Sequence, residues 1–185
     1  FNQCYSNARS RMPIKLVYPK DTLSIAVHIR RGDLLPGRQF SDLADRMLPD
    51  LWYREIIQKI LNVATQKVSL IILSEGVNGE YCSERGEPFS WTTAFGSKDV
   101  RVIEMIDAPF NDSFHQMKSA DILVGSKSGM SHLAGMLSDG IKIMPRMWHS
   151  YRGSKHTIEI EDRKLSNQLK VLDEFLQLVG ANYFR

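Results

Sequence analysis

The chain has 185 residues, a length that suits one domain with a sizeable core. Hydrophobic residues make up 43% of it and charged residues 24%, and this balance excludes the compositions of disordered and fibrous proteins. The formal net charge of +3 is small and no run of lysine and arginine with interleaved aromatics occurs, so nucleic acid is not an expected partner.

The first predicted strand is an apolar run that ends in charged residues. Residues 1–20 are polar and contain two prolines, so we expect an irregular lead-in before a domain that spans residues 21–185. Residues 23–33 read L-S-I-A-V-H-I-R-R-G-D, and their aliphatic part is typical of a parallel strand buried on both faces. Because unpaired guanidinium groups are costly to bury, we expect both arginines in a crevice at the carboxyl end of this strand.

Strands and helices are predicted to alternate along the rest of the chain. Further strands are predicted at residues 68–73, 100–106, 121–125 and 141–144. Helices are predicted at residues 50–66, 111–120 and 130–138 and from Leu165 onwards, with Asn111 or Asp112 as the cap of the second. The connections at residues 34–47, 79–97 and 146–163 are expected to be mostly loop. This alternation predicts an α/β fold, namely a Rossmann-like three-layer domain with a mostly parallel sheet.

The carboxyl ends of the predicted strands bring polar residues to one edge of the sheet, where open α/β sheets bind their ligands. These residues are His28, Arg30, Arg31, Gly32 and Asp33 at the first strand, Ser74, Glu75 and Gly76 at the second, Asp107 at the third, and Ser126, Lys127, Ser128 and Gly129 at the fourth. His28 and Arg30 are two residues apart and share a face of the strand, whereas Arg31 points to the other face. Glu75 could contact a ligand from the end of the second strand, but we expect it to be a solvated loop acid.

The turn at residues 126–129 has the composition of an anion site. Its small residues expose backbone N–H groups at the start of the next helix, where the helix dipole favours an anion. Two serine hydroxyls and the ammonium group of Lys127 add donors, and Gly32 lets the backbone turn sharply or a ligand approach closely. The turn matches neither the Walker pattern nor G-x-G-x-x-G, and plain helix capping by Ser126 and Ser128 stays an alternative.

Two segments of the chain, taken together, resemble a known family. They are V-H-I-R-R-G-D at residues 27–33 and F-H-Q-M-K-S-A-D-I-L-V-G-S-K-S-G-M-S-H-L-A-G-M-L-S at residues 114–138. Over residues 24–145 the chain resembles the GDP-fucose-binding half of the α1,2-, α1,6- and protein O-fucosyltransferase superfamily. The resemblance implies the donor-binding half of a GT-B glycosyltransferase, which transfers fucose with inversion from GDP-fucose to a glycan or glycoprotein acceptor. The family generally needs no metal, and the cysteines and histidines of this chain show no metal-ligand spacing.

The resemblance also assigns roles to single residues. Arg30 is expected to hold the β-phosphate and to stabilise the leaving GDP, while His28 lies near the nucleotide. Arg31 and Asp33 are expected to complete the charge network of the motif. Phosphate contacts are implied for Ser126, Ser128 and the Gly129 amide. Relatives read guanine with an acidic residue ahead of the fourth strand, and here Asp112 and Asp107 are rivals for that role.

The general base and the acceptor domain are the points at which this chain departs from the family. Some relatives carry a carboxylate shortly after the aspartate of the motif, where this chain reads L-L-P-G-R. Asp33 therefore stays a candidate for a catalytic role alongside Arg30. Residues 1–22 are too few for a GT-B acceptor domain, so we expect that amino-terminal domain to be missing and the chain to transfer poorly by itself.

Two alternatives to a fucosyltransferase stay open. The first is a catalytically silent GDP- or nucleotide-binding or interaction domain on the same scaffold, and the second is a transferase that uses another nucleotide sugar. Arg30 and Arg31 could also form structural pairs with carboxylates on neighbouring helices.

Overall fold

The computed structural model describes residues 2–11, 15–146, 150–151, 156–161 and 165–183. Its strands are β1 (Leu23–Ile29), β2 (Val68–Ser74), β3 (Val100–Ile106), β4 (Ile122–Val124), β5 (Ile141–Pro145) and β6 (Thr157–Ile160). They form one sheet in the order β3-β2-β1-β4-β5-β6, and every neighbouring pair is parallel. With helices on both faces, this sheet confirms the predicted α/β, Rossmann-like three-layer domain.

The helices form two layers that cover the sheet. The α-helices of the described residues are α1 (Asn2–Arg11), α2 (Asp50–Val63), α3 (Trp91–Phe95), α4 (Phe110–Ser119), α5 (Gly129–Leu137) and α6 (Leu165–Tyr183). Apolar residues of α2, α3 and α6 pack with Ile25 and Val27 of β1 in one cluster. Residues of α1, α4 and α5 pack with Ala26 in a second cluster on the opposite face of the sheet.

Strand β1 lies inside the sheet, between β2 and β4. Ile25 is paired with Leu70 of β2 on one side and with Ile122 of β4 on the other, and all three residues are fully buried. A strand with neighbours on both sides and helices on both faces has no solvent side, which is why its sequence is a nearly continuous apolar run. The chain leaves this buried position directly after Ile29, so Arg30 reaches the carboxyl edge of the sheet.

An α-helix and a strand lie where loop was expected, and a 3₁₀ helix (Ser41–Arg46) forms within the predicted 34–47 connection. Residues 2–11 form α1 inside the lead-in that was predicted to be irregular, and the Tyr5 ring packs against Phe114. Residues 157–160 form β6 inside the predicted 146–163 loop, because the T-I-E-I segment pairs with the outer edge of β5. The sequence of α1 is polar nearly all round, and β6 has only four residues, so neither segment carries a periodic pattern that would reveal its contacts in the fold.

The start of α4 also differs from the expectation. The helix begins at Phe110 with Pro109 in the N-cap position, and no side chain caps it, so the prediction of Asn111 or Asp112 as cap was wrong. Proline cannot donate a backbone hydrogen bond and is well tolerated at a helix start, which moves the boundary toward the amino terminus.

Other boundaries agree closely with the expectations. Helix α2 ends at Val63, and the connection at residues 79–97 contains only the short α3. Leu172 and Leu176 of α6 are fully buried, whereas the side chain of Leu165 lies outside the described residues. Among the described helices, none has the length and apolarity that crossing a bilayer requires.

Candidate functional site

A cavity lies where the order of the strands reverses. The chain passes from β1 outward through β2 to β3, and then from β4 outward in the opposite direction to β6, so the reversal falls between β1 and β4. In open α/β sheets ligands bind at such a topological switch point, at the carboxyl ends of the strands. The cavity has a volume of about 350 Å³, within the range of small-molecule sites. This switch-point cavity is lined by His28, Ile29, Arg30, Arg31, Asp33, Glu75, Ser128, Gly129 and Met130.

Arg30 supplies positive charge to the switch-point cavity. Its side chain is 26% exposed, and its Nη2 donates to Asp33 Oδ2 over 2.7 Å. The Nε of Arg30 is buried and has no hydrogen-bond partner within the described residues. Because a guanidinium group has five N–H donors and Asp33 occupies one side of it, donors remain for an anion in the cavity.

The amino terminus of α5 lines the same cavity as Arg30. Ser128 is the N-cap residue, and its Oγ accepts a hydrogen bond from the Met130 N–H over 3.2 Å. The Gly129 N–H has no acceptor among the described residues, as expected for the first turn of a helix. The unpaired amide and the helix dipole favour an anion there, so positive charge from β1 and from α5 meets in one cavity.

His28 is held at the cavity by serines behind it. Its Nδ1 is 2.6 Å from Ser131 Oγ and 3.1 Å from Ser126 Oγ. Burial and, to a smaller extent, the charge of Arg30 lower the pKa of His28 to about 4. The imidazole is therefore neutral at pH 7, and Nε2 is the ring nitrogen left for a ligand.

Ser126 supports His28 and does not line the cavity. It is fully buried, and its N–H donates to Ser131 Oγ over 3.0 Å. A direct phosphate contact with Ser126, which the resemblance implied, would require these internal hydrogen bonds to break. The structure therefore places Ser126 one layer behind the ligand position.

Arg31 occupies a different environment from Arg30. Its side chain is fully buried on the α2 side of the sheet, where it forms an ion pair with Asp50 and donates to the Leu48 carbonyl over 2.9 Å. A further bond of 2.8 Å runs from Arg31 Nη1 to the Arg30 carbonyl. Burial opposes the charge, but Tyr81, Tyr53 and Asp50 outweigh it and raise the pKa of Arg31. Arg31 is among the residues that line the switch-point cavity, but its side chain is fully buried and its guanidinium bonds to Asp50 and to the Arg30 carbonyl. Arg31 is therefore the arginine that forms the structural pair with a helix carboxylate.

Gly32 makes room for Glu75, which was expected to be a solvated loop acid. Gly32 has a φ of +52°, and a Cβ built on it would lie 2.0 Å from Glu75 Oε2. Because Gly32 has no side chain, the Glu75 carboxylate can lie against the backbone of the turn that follows β1. The signal in the sequence was the position of Glu75 directly after β2, the nearest neighbour of β1.

A second cavity adjoins the first. This outer cavity has a volume of about 530 Å³ and is lined by Gly32, Asp33, Arg38, Gln39, Glu75, Gly76, Asp107 and Ala108. Asp33 and Glu75 line both cavities, so together they form the boundary between them. Asp107 belongs to the outer cavity, where its Oδ1 accepts a hydrogen bond from the Gly76 N–H over 2.9 Å.

Besides Ser126, two more predicted site residues lie outside both cavities. Lys127 Nζ donates to the Asp45 carbonyl over 3.3 Å, which directs its ammonium group toward the 41–46 segment. Asp112 lies in the first turn of α4 and is a lining residue of neither cavity. Reading of the guanine base by Asp112 or Asp107 stays a prediction.

A third cavity, of about 460 Å³, lies at the edge strand β3. Its lining includes Tyr81 and Phe89 together with the acidic residues Glu80 and Glu104, and no cationic side chain is among the described residues that line it. The switch-point cavity also contains two acids, Asp33 and Glu75, but it has Arg30 beside them. In the third cavity a diphosphate would meet carboxylates without a cation among the described lining residues, so that cavity does not suit the predicted ligand. No cluster of three or more potential metal ligands occurs among the residues that the structure describes.

Comparison of the chain with protein-family models and with curated proteins finds no match.

Proposed function

We propose that the protein binds a nucleoside diphosphate sugar in the switch-point cavity and serves the transfer of that sugar, with GDP-fucose as the donor. The supporting observation is that the Arg30 guanidinium and the unpaired Gly129 amide line one cavity at the reversal of strand order. The class of ligand, a diphosphate, comes from this pairing of a cation with a helix amino terminus. The choice of guanine and fucose comes from the family resemblance of residues 27–33 and 114–138.

The chemistry follows from where charge develops during transfer. An acceptor hydroxyl attacks the anomeric carbon of the sugar, the bond from that carbon to the β-phosphate oxygen breaks, and the electron pair stays on the diphosphate. Negative charge thus grows on the leaving group, and the hydrogen bonds from Arg30 strengthen as it does. Arg31 and Ser126 contribute indirectly, because they hold the Arg30 backbone and the His28 ring.

Calorimetric titration with GDP tests the proposal. Removal of a charge-assisted hydrogen bond in Arg30→Ala is expected to weaken GDP binding about 10- to 100-fold. Arg101→Ala is the matched control, because Arg101 is an exposed arginine on the edge strand β3, and it should bind GDP like the wild type. Equal affinities for wild type and Arg30→Ala would remove Arg30 from the site.

Competition among nucleotides tests the identity of the base. GDP should displace a fluorescent GDP analogue at lower concentration than UDP or ADP does. Preference for UDP or ADP would favour a transferase that uses another nucleotide sugar, and lack of binding by all three would refute a nucleotide site in this cavity.

A further inference from the structure

Two carboxylates, Asp33 and Glu75, line both the switch-point cavity and the outer cavity, and they differ in their hydrogen-bond partners. The Asp33 carboxylate accepts a hydrogen bond from Arg30 over 2.7 Å, and this ion pair commits it to the guanidinium. The Glu75 side chain is exposed and forms no hydrogen bond or ion pair among those found in the described residues. Of the two acids that face both cavities, Glu75 is therefore the one available to accept a proton.

The backbone around Glu75 is fixed on both sides. Ser74 Oγ donates to the Ile29 carbonyl over 2.8 Å, which ties the end of β2 to the end of β1. The Gly76 N–H donates to Asp107 Oδ1 over 2.9 Å, which ties the same turn to the end of β3. A general base must be held within reach of its proton, and these two bonds supply that positioning for Glu75.

The two cavities differ in the ligand that each can receive. The switch-point cavity has Arg30 and the α5 amino terminus, which suit the diphosphate. The outer cavity has a mixed polar lining that includes Arg38, Gln39 and Asp107, and such a lining suits the hydroxyl groups of a polar acceptor. An acceptor in the outer cavity would meet a sugar in the switch-point cavity at the Asp33–Glu75 boundary.

We infer that the outer cavity receives the acceptor hydroxyl and that Glu75 is the general base of the transfer. This inference rests on the proposed function, because it takes the donor to lie in the switch-point cavity. The Glu75 carboxylate accepts the hydroxyl proton while the acceptor oxygen bonds to the anomeric carbon. At the same time the bond from that carbon to the phosphate oxygen breaks, and GDP leaves with the electron pair. Asp33 then acts on the geometry of Arg30 and is a positioning residue.

The test compares GDP-fucose turnover with GDP binding in the same proteins. Wild type is expected to release GDP from GDP-fucose with water as acceptor. Glu75→Gln should reduce this rate about 10²- to 10⁴-fold without weakening GDP binding, because the substitution removes a negative charge from the cavity that holds the diphosphate. Glu80→Gln is the matched control, because it removes an exposed carboxylate five residues away that lines neither cavity. Thermal unfolding should be the same for all three proteins, since Glu75 is exposed.

Azide provides a readout that a structural role would not affect. Azide is an anion and attacks the anomeric carbon without losing a proton, so it should restore GDP release in Glu75→Ala and yield fucosyl azide. Failure of azide to restore release, or full activity of Glu75→Gln, would overturn the assignment of Glu75. The same holds for a wild-type protein that binds GDP but does not turn over GDP-fucose, a result that would leave the donor site itself standing. Absence of GDP binding would instead refute the proposed function.

Discussion

The protonation of His28 links the candidate site to the stability of the fold. The imidazole lies beside Arg30 with its Nδ1 between two serines, and its pKa is lowered to about 4. In the unfolded chain the pKa of histidine is about 6.5. Above pH 6.5 both states are neutral and the full stability is present. Between pH 6.5 and pH 4 only the unfolded state takes up the proton, so the free energy of unfolding falls as the pH falls.

The size of this effect follows from the difference between the two pKa values. A single group contributes a slope of about 1.36 kcal/mol per pH unit between its two pKa values, so a pH change from 7 to 4.5 removes at most about 2.5 kcal/mol. The Arg30 side chain is partly exposed, so solvent screens its charge, and we therefore expect a loss of about 1 to 2.5 kcal/mol from His28. This is a large share of the stability of a typical domain.

Urea unfolding of wild type and His28→Asn, followed by circular dichroism at pH 7 and pH 4.5, measures the effect. The asparagine side chain occupies the position of Nδ1 and does not titrate, so the difference in pH dependence between the two proteins isolates residue 28 from the other titrating groups. Wild type should lose about 1 to 2.5 kcal/mol more than His28→Asn on acidification. Parallel pH dependences, or a His28 pKa near 6.5 by NMR titration, would show that burial does not lower the pKa of His28.

Three further substitutions probe the residues that support the site, each measured by urea unfolding at pH 7. Arg31→Met should destabilise the protein by about 3 to 5 kcal/mol, because it leaves the Asp50 carboxylate buried without its cationic partner and, among the described residues, with only the Tyr81 hydroxyl bonded to it. Adding Asp50→Leu should recover much of that loss, and a double variant no more stable than Arg31→Met would contradict this. Gly32→Ala should cost about 1 to 3 kcal/mol, since φ is +52° and the new methyl group would displace Glu75. An unchanged midpoint would show that the turn adapts. Ser128→Ala should cost about 1 kcal/mol through loss of the α5 cap, whereas Ser128→Asp should retain the cap and most of the stability.

The central strands and the helices that pack on them follow from the sequence, because their signals are local. The nearly continuous apolar run before Arg30 is typical of a strand that is buried on both faces. The change from apolar to charged residues at Arg30 marks the carboxyl end of β1. The amphipathic spacing of α2 likewise indicates one apolar face over fourteen residues. By contrast, β6 has only four residues and is a strand because it pairs with the outer edge of β5. Its local sequence does not indicate that this edge is available for pairing.

In the candidate site, too, some features follow from neighbouring residues in the sequence and others from residues far away in the chain. Alternation along β1 assigns Arg30 and Arg31 to opposite faces, and the serine and glycine turn before α5 marks a helix start. Which face meets solvent, however, depends on what packs there: Arg31 becomes structural because Asp50 of α2 lies over it. The sequence places Ser126 in the predicted phosphate-binding turn together with Ser128. In the structure, however, Ser126 is hydrogen-bonded to the His28 ring and to Ser131 instead.

The sequence predicted the central strands, the helices packed on them, the parallel sheet and a guanidinium at the carboxyl end of β1, but it did not predict α1 or β6. Only the tertiary structure decided which side of the sheet that guanidinium faces and which acids stand beside it. Backbone propensity and side-chain alternation act between near neighbours and can be read from the sequence. The order of strands depends on contacts between residues far apart in the chain, and it is this order that brings Glu75 of β2's end into the space left by Gly32.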